Sequence, residues 1–175
     1  MSIDVRAIRY CPRCTSANYT FLDDRRWRCA TCDLVYYHNI AAACAVILTR
    51  GDQLLLTLRK SDPGAGLLDL PGGFVDPDES VEAAVIREVH EELGIVIDTP
   101  RYFASYQNRY YFREIEYRTL DLIFTASVPE GAAPVAADDV AEVVVVRPED
   151  IDFEKIAFAS IRQALQDFPG DKFRH

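Results

Sequence analysis

The stretch from Gly73 to Ile95 constrains this chain more than any other. It runs Gly73-Phe-Val-Asp-Pro-Asp-Glu79 and then, seven residues on, Arg87-Glu88-Val89-His90-Glu91-Glu92-Leu93-Gly94-Ile95. Glu88, Glu91 and Glu92 stand at i, i+3 and i+4, so a helix would carry all three carboxylates on one side. Like charges this close repel, and a helix gains nothing from them without a counter-ion. A hard divalent cation supplies one, because Mg²⁺ takes carboxylate oxygens and keeps water positions open to a phosphate. A solvated acidic surface helix, the ordinary meaning of a Glu run, explains neither the glycine positions nor the leading Pro71-Gly72-Gly73.

Those residues resemble the Nudix box, whose pattern reads Gly, five residues, Glu, seven residues, then Arg-Glu-aliphatic-any-Glu-Glu-any-Gly-aliphatic. Gly73, Glu79, Arg87, Glu88, Val89, Glu91, Glu92, Gly94 and Ile95 fill every specified position. Each fixed residue occurs at roughly one position in fifteen, so a full set of matches in register is no coincidence. The resemblance implies an α/β fold, a Nudix-type α/β/α sandwich with a mixed sheet. It also implies a pyrophosphohydrolase acting on acid anhydrides in phosphorus-containing compounds.

The chain has 175 residues, 49% of them hydrophobic, enough for one main domain with a small appendage. The formal net charge of −9 argues against a general nucleic-acid or membrane-surface partner. The charge is uneven, however: residues 1–33 hold six Arg against four Asp, so the remainder carries −11. That asymmetry suggests two modules. With no apolar leader and no stretch of about 18 apolar residues, a cytoplasmic chain is expected, in which five Cys would not form disulfides.

Four of those Cys form Cys11-Pro-Arg-Cys14 and Cys29-Ala-Thr-Cys32. Two such knuckles read as a tetrahedral Zn²⁺ site, with Cys11, Cys14, Cys29 and Cys32 as ligands. Four protein ligands leave no open position, so the zinc is expected to be structural. Cys44 lies in an apolar run and reads as a small buried hydrophobe. His38 is an alternative zinc ligand that a complete Cys set makes unnecessary. The expected division is a zinc ribbon over 1–36 and a Nudix domain over 37–175.

Along the larger module, Ala41 to Thr49 reads as a strand buried on both faces and Gln53 to Leu58 as its return. Leu67 to Leu70 reads as a short strand entering a Pro71-Gly72-Gly73 turn. The box helix is predicted to end at Leu93 with Gly94 as a left-handed cap, and to start at Asp76, Asp78 or Ser80. Its apolar stripe is Val85, Ile86, Val89 and Leu93. Further strands are predicted at Ile95–Ile97, 101–112, 117–128 and 142–146, an acidic loop at 131–139, and a helix over 154–168 stopped by Pro169-Gly170.

The Nudix resemblance implies that Glu88, Glu92 and the Gly72 carbonyl hold Mg²⁺ or Mn²⁺, with Glu91 a further ligand or a holder of metal-bound water, and that Arg87 and Glu79 pair to brace the loop against the helix. Glu88 and Glu142 are both candidates for the general base. A zinc ribbon before a Nudix domain is similar to NADH pyrophosphatases, over roughly residues 9–98. Their Ser-Gln-Pro-Trp-type motif is replaced here by Ser105-Tyr106-Gln107-Asn108. Nucleoside diphosphate derivatives are therefore the expected substrates, with NAD(H) and ADP-ribose leading. Tyr106, Arg109 and Arg59 are candidates to bind them through stacking and phosphate contacts. A homodimer is expected from the resemblance, and nucleic acid is not expected as a partner. The competing expectation is a non-catalytic nucleotide-sensing or nucleic-acid-associated module built on the same two parts.

Overall fold

In the computed structural model, residues 8–113 and 115–168 are described. Ten strands and two α-helices follow in the order β1 (Tyr19–Leu22), β2 (Arg26–Cys29), β3 (Val35–Tyr37), β4 (Ala41–Arg50), β5 (Gln53–Arg59), β6 (Leu68–Asp69), β7 (Gly72–Phe74), α1 (Val81–Leu93), β8 (Arg101–Phe112), β9 (Ile115–Ser127), β10 (Val140–Val146) and α2 (Ala159–Asp167). They pack as two compact units. One comprises the chain up to Ala41 together with Arg109–Arg118, and the other Ala42–Asn108 with the chain from Thr119 on.

The smaller unit holds a three-stranded sheet in the order β1-β2-β3, antiparallel throughout. One sheet face turns inward. Tyr19 stacks on Trp27 with ring centroids 4.9 Å apart, Phe21 lies 5.0 Å from the same indole, and Cys11 and Cys29 are buried against them. So few apolar side chains are a small core for a module of this size, and a bound metal would add to its stability.

The larger unit is built on a sheet of order β10-β5-β4-β9-β8, with β6 added beside β5 and β7 beside β4. β10–β5, β5–β4, β4–β7 and β5–β6 pair antiparallel. Val128 N donates to Thr49 O at 2.9 Å, so neighbours β4 and β9 end at the same edge and run parallel. The sheet is therefore mixed. The apolar run of β4 feeds both faces by simple alternation. Cys44, Val46 and Leu48 pack with Ala84, Val85, Val89 and Leu93 of α1. Ala45 and Ile47 pack with Ile161, Ala164 and Leu165 of α2. Helix, sheet and helix form the expected α/β/α sandwich. Ile47 is fully buried, and truncating such a residue to Ala typically costs about 2–5 kcal/mol.

Three elements depart from the sequence expectation. Ile95–Ile97 keeps its alternation, with Ile95 and Ile97 buried and Val96 exposed, but forms no strand. The second helix begins only at Ala159. Asp152 caps a separate 3₁₀ turn over Phe153–Lys155, and Ala157 N then donates to Leu68 O at 2.8 Å, which holds the chain extended. Gly72–Phe74 is a strand rather than a turn, paired to β4 in the register Ala43↔Phe74, Cys44↔Gly73 and Ala45↔Gly72. The Pro169-Gly170 stop lies outside the described residues. No helix among the described residues is long and apolar enough to cross a membrane.

Candidate active site and metal centres

α1 starts at Ser80, whose hydroxyl accepts from Ala83 N at 3.2 Å, and stops at Gly94 in the left-handed conformation. Of the three possible caps Ser80 is the one used. Its place fixes the phase of the helix, so the apolar stripe faces β4 and Glu88, Glu91 and Glu92 fall on the side that meets the Gly72–Gly73 strand. The two glycines leave room that a Cβ would fill, against rigid backbone at Gly72 and against a side chain at Gly73. At Gly72, φ is +153° and a Cβ would collide with the Cys44 carbonyl; at Gly73 it would collide with the Glu88 carboxylate.

Arg87 organises the acidic side chains. Its Nη2 and Nε donate to the two Glu79 oxygens at 2.7 and 3.2 Å, a bidentate pair. Its Nη1 donates to Glu88 at 2.8 Å and to Glu91 at 3.0 Å, and Nη2 also reaches the Phe74 carbonyl at 3.1 Å. Glu79 also accepts from Asp76 N at 2.8 Å, which closes the loop between β7 and α1. Arg87 thus braces that loop onto the helix and neutralises part of the cluster.

The cluster remains under-compensated. Glu92 is buried, and burial pushes its carboxyl up to about 8 even though Gly72 N donates to it at 3.1 Å; Glu88 and Asp69 push the same way. Burial also raises Glu88, outweighing Arg87, and Glu91 and Asp138 add to the rise. Glu91 is half exposed. A buried and a part-buried carboxylate that resist ionisation, beside a strand where side chains are sterically excluded, suit a divalent cation with oxygen preference.

Asp138 is the residue that sequence reasoning missed. The loop between β9 and β10 is tied to the end of α1 by Val135 N to Leu93 O at 3.0 Å and Ala137 N to Glu92 O at 2.9 Å. This brings Asp138 within electrostatic reach of Glu88. The segment reads as acidic, but nothing local says that it folds back over the box helix.

The other candidates are distributed differently. Glu142 lies exposed on β10 opposite Leu58, beside a register shift after Val140. Arg59 is engaged inside the fold: Nη1 donates to Asp69 at 2.7 Å, Nε to the Pro63 carbonyl at 2.7 Å, and the guanidinium lies over Phe158. Burial still raises Asp69 to about 6 against this partner. Tyr106 packs in the second core and donates to Asp167 at 2.9 Å; burial, then Asp167, pushes its phenol up to about 12. Arg109 is exposed on the hairpin tip that belongs to the smaller unit, paired to Glu116 at 3.3 Å.

In the smaller unit, the four Sγ atoms of Cys11, Cys14, Cys29 and Cys32 lie within 4.8 Å of one another. Cys11–Cys32 and Cys14–Cys29 are each 3.6 Å apart. Tetrahedral zinc with Zn–S bonds of about 2.3 Å requires S···S of roughly 3.8 Å, so the four thiols fit the ion. Burial works against a Cys29 thiolate, but the backbone N–H groups of Cys32 and Thr31 outweigh it and bring the thiol down to about 6. His38 stands outside this cluster.

A family model described as NUDIX domain matches residues 38–168, three quarters of the chain. Among curated proteins, the chain is 38% identical over 97 residues to the NAD-capped RNA hydrolase NudC of Stutzerimonas stutzeri, covering 55% of this chain and 35% of that protein. It is 34% identical over 100 residues to the same-named protein of Vibrio cholerae, covering 57% and 37%. The match thus spans about a third of the length of these relatives. Among solved structures, a NUDIX hydrolase from Nitrosomonas europaea superposes with a TM-score of 0.73 at 22% identity, over 91% of this chain and 89% of that one, a likeness of fold. A MutT NUDIX hydrolase from Burkholderia pseudomallei gives 0.65 at 25% identity, over 75% and 99%. The glycine strand, the braced box helix and the extent of the family match together place this chain in the Nudix hydrolase family.

Proposed function

We infer that the chain hydrolyses the diphosphate bridge of a nucleoside diphosphate derivative, with NAD(H) or ADP-ribose as the leading substrates. The observation that carries this reading is the buried Glu92 and the part-buried Glu88, both with carboxyls raised by desolvation, set against Gly72 and Gly73. The names of the NudC relatives support a dinucleotide of the NAD type.

Glu88, Glu91, Glu92 and the Gly72 carbonyl would hold Mg²⁺ or Mn²⁺. Such an ion supplies charge neutralisation at the diphosphate oxygens and makes water a better nucleophile. A water oxygen forms a bond to one phosphorus, the bridging P–O bond breaks with its electron pair leaving on the other phosphate, and a carboxylate takes the proton. Glu88 is the first candidate for that base, as a carboxylate that faces Gly73 within the cluster that would hold the ion. Glu142 is the second. Arg87 and Glu79 hold the loop, and Tyr106, Arg109 and Arg59 remain the candidates for substrate contact. The zinc ribbon serves as a structural module joined to the Nudix domain near residue 37, and the expected assembly is a cytoplasmic homodimer.

The test is a panel of NADH, ADP-ribose and dinucleoside polyphosphates, with and without Mg²⁺, with products identified by mass in ¹⁸O-water. AMP or another monophosphate should appear only with the metal, and Glu88→Gln should lower turnover by about 100-fold or more, the scale of a lost general base. No release from any substrate, or near wild-type turnover in Glu88→Gln at saturating Mg²⁺, would sink the reading.

A further inference from the structure

Asp69 is a buried carboxylate that holds an arginine. Its side chain is 10% exposed; Oδ2 accepts from Arg59 Nη1 at 2.7 Å and Oδ1 from Leu70 N at 2.9 Å. Stability alone is a poor reason for such a pair, because taking two charges out of water costs about as much as their attraction returns.

The arginine is fixed from several sides. Its Nε donates to the Pro63 carbonyl at 2.7 Å, and the guanidinium carbon lies 4.9 Å from the centre of the Phe158 ring. At Gly64 a Cβ would come within 3.4 Å of both Cδ and Nε, so the loop closes on the stem as well. Two of the three guanidinium nitrogens are thereby occupied. Nη2, which carries two N–H donors, makes no hydrogen bond among the described residues, and the Arg59 side chain keeps 22% of its surface exposed. A long side chain held at so many points has lost its rotamer freedom before a ligand arrives, which is what preorganisation requires.

Its surroundings place this cation at the candidate active site. Asp69 raises the Glu92 carboxyl through space and Arg59 lowers it, so both lie within electrostatic reach of the box helix. The other guanidinium there, Arg87, has all three nitrogens engaged with Glu79, Glu88, Glu91 and the Phe74 carbonyl.

We propose that Asp69 is a positioning residue for substrate: it orients the Arg59 guanidinium so that Nη2 meets a phosphoryl oxygen of the diphosphate. A charge-assisted hydrogen bond from a fixed guanidinium suits a phosphate better than a mobile point charge does. The inference rests on the hydrolase reading for the ligand, a nucleoside diphosphate derivative, and adds to it the residue through which Arg59 is aimed. If the pair merely braced the loop between β5 and β6, its loss would lower stability and leave affinity unchanged.

The test is a double-mutant cycle on the full chain, with Asp69→Asn, Arg59→Lys and the two combined. Lysine keeps the charge and loses the planar fork. With dinucleotide and Mg²⁺, each single variant should raise KM at least about 10-fold, the scale of one lost hydrogen bond to a charged group, with a far smaller effect on kcat. The double variant should be no worse than Arg59→Lys, because Asp69 acts only through Arg59. Calorimetric titration with ADP in Ca²⁺, which takes the same oxygen ligands, reads binding without turnover. Affinity for ADP should fall at least about 10-fold in all three variants. Circular dichroism shows which are folded. If Asp69→Asn does not fold, Asp69→Glu, which keeps the charge and displaces the guanidinium, should give the same rise in KM and the same loss of ADP affinity. Unchanged KM and ADP affinity in the folded Asp69 variant would overturn the proposal, as would additive losses in the double variant, a fall in kcat alone, or a wild-type chain that does not bind ADP. Absence of turnover with every dinucleotide, alongside ADP binding that responds to both substitutions, would count against the hydrolase reading and in favour of this placement.

Discussion

Gly72 and Gly73 are adjacent and answer to different constraints, which makes them separable by mutation. A methyl group at Gly72 meets rigid backbone, at a φ of +153° that L residues avoid. Gly72→Ala should therefore lower stability by about 1–3 kcal/mol in chemical denaturation. A methyl group at Gly73 meets only the Glu88 carboxylate. Gly73→Ala should leave the denaturation midpoint nearly unchanged and cut kcat at least about 10-fold, since displacing a reacting group by an ångström is costly. Equal effects of the two substitutions on stability would refute the distinction. Glu92 gives a pH signature at the same scale. Its carboxyl is raised from an ordinary 4.5 to about 8 in the folded chain without metal. The folded state thus favours the protonated form. Its contribution to stability is fully present below about pH 4.5 and is lost as pH rises through about 8. Glu92→Gln, a permanent mimic of the protonated group, should raise the melting temperature at about pH 8.5 without added Mg²⁺ and change it little at about pH 4.5. A lower melting temperature at the alkaline pH would show that Glu92 is satisfied as an anion.

At the scale of the element, α1 is positioned by its ends and its stripe. Replacing Ser80 by Ala removes the acceptor for Ala83 N and should cost about 1 kcal/mol, measured by urea denaturation. The β9–β10 loop acts on the same helix from its other end. Asp138 raises the Glu88 carboxyl through space. Asp138→Asn removes one negative charge and should lower the pKa of Glu88. If Glu88 works as the base, the acid limb of kcat/KM against pH then moves to lower pH. An unmoved limb would mean that another group is the base, and Glu142→Gln, measured the same way, would then show whether Glu142 is that group. The elements whose local pattern misleads share a cause. Ile95–Ile97 has a strand's alternation but pairs with no strand among the described residues, and residues 156–158 have helical spacing but are held extended by Leu68. Period alone cannot report such long-range competition.

For the whole molecule, the two units give two independent readouts. The chain has one tryptophan, Trp27, and it is buried in the core of the smaller unit. Chelating zinc should loosen that core and shift the fluorescence to the red. The far-UV circular dichroism of the larger sheet and Mn²⁺ binding at the box helix should persist. Simultaneous loss of Mn²⁺ binding would show that the two metal centres are not separate.

What the chain shows in one dimension is whatever depends on near neighbours. The spacing of Glu88, Glu91 and Glu92, the cap at Gly94, the two-faced apolar run of β4 and the paired cysteine knuckles are all set within a few residues or a fixed period. These suffice for the box helix, a two-faced core strand and a zinc-type cysteine cluster, and the sandwich followed from the family resemblance they carry. Folding alone decided that Arg59 is engaged with Asp69, that Glu142 stands exposed on a strand opposite Leu58, and that Asp138 comes back to Glu88. Each of these depends on which distant segment shields or neutralises a charge, and burial and Coulomb energy are properties of the assembled chain.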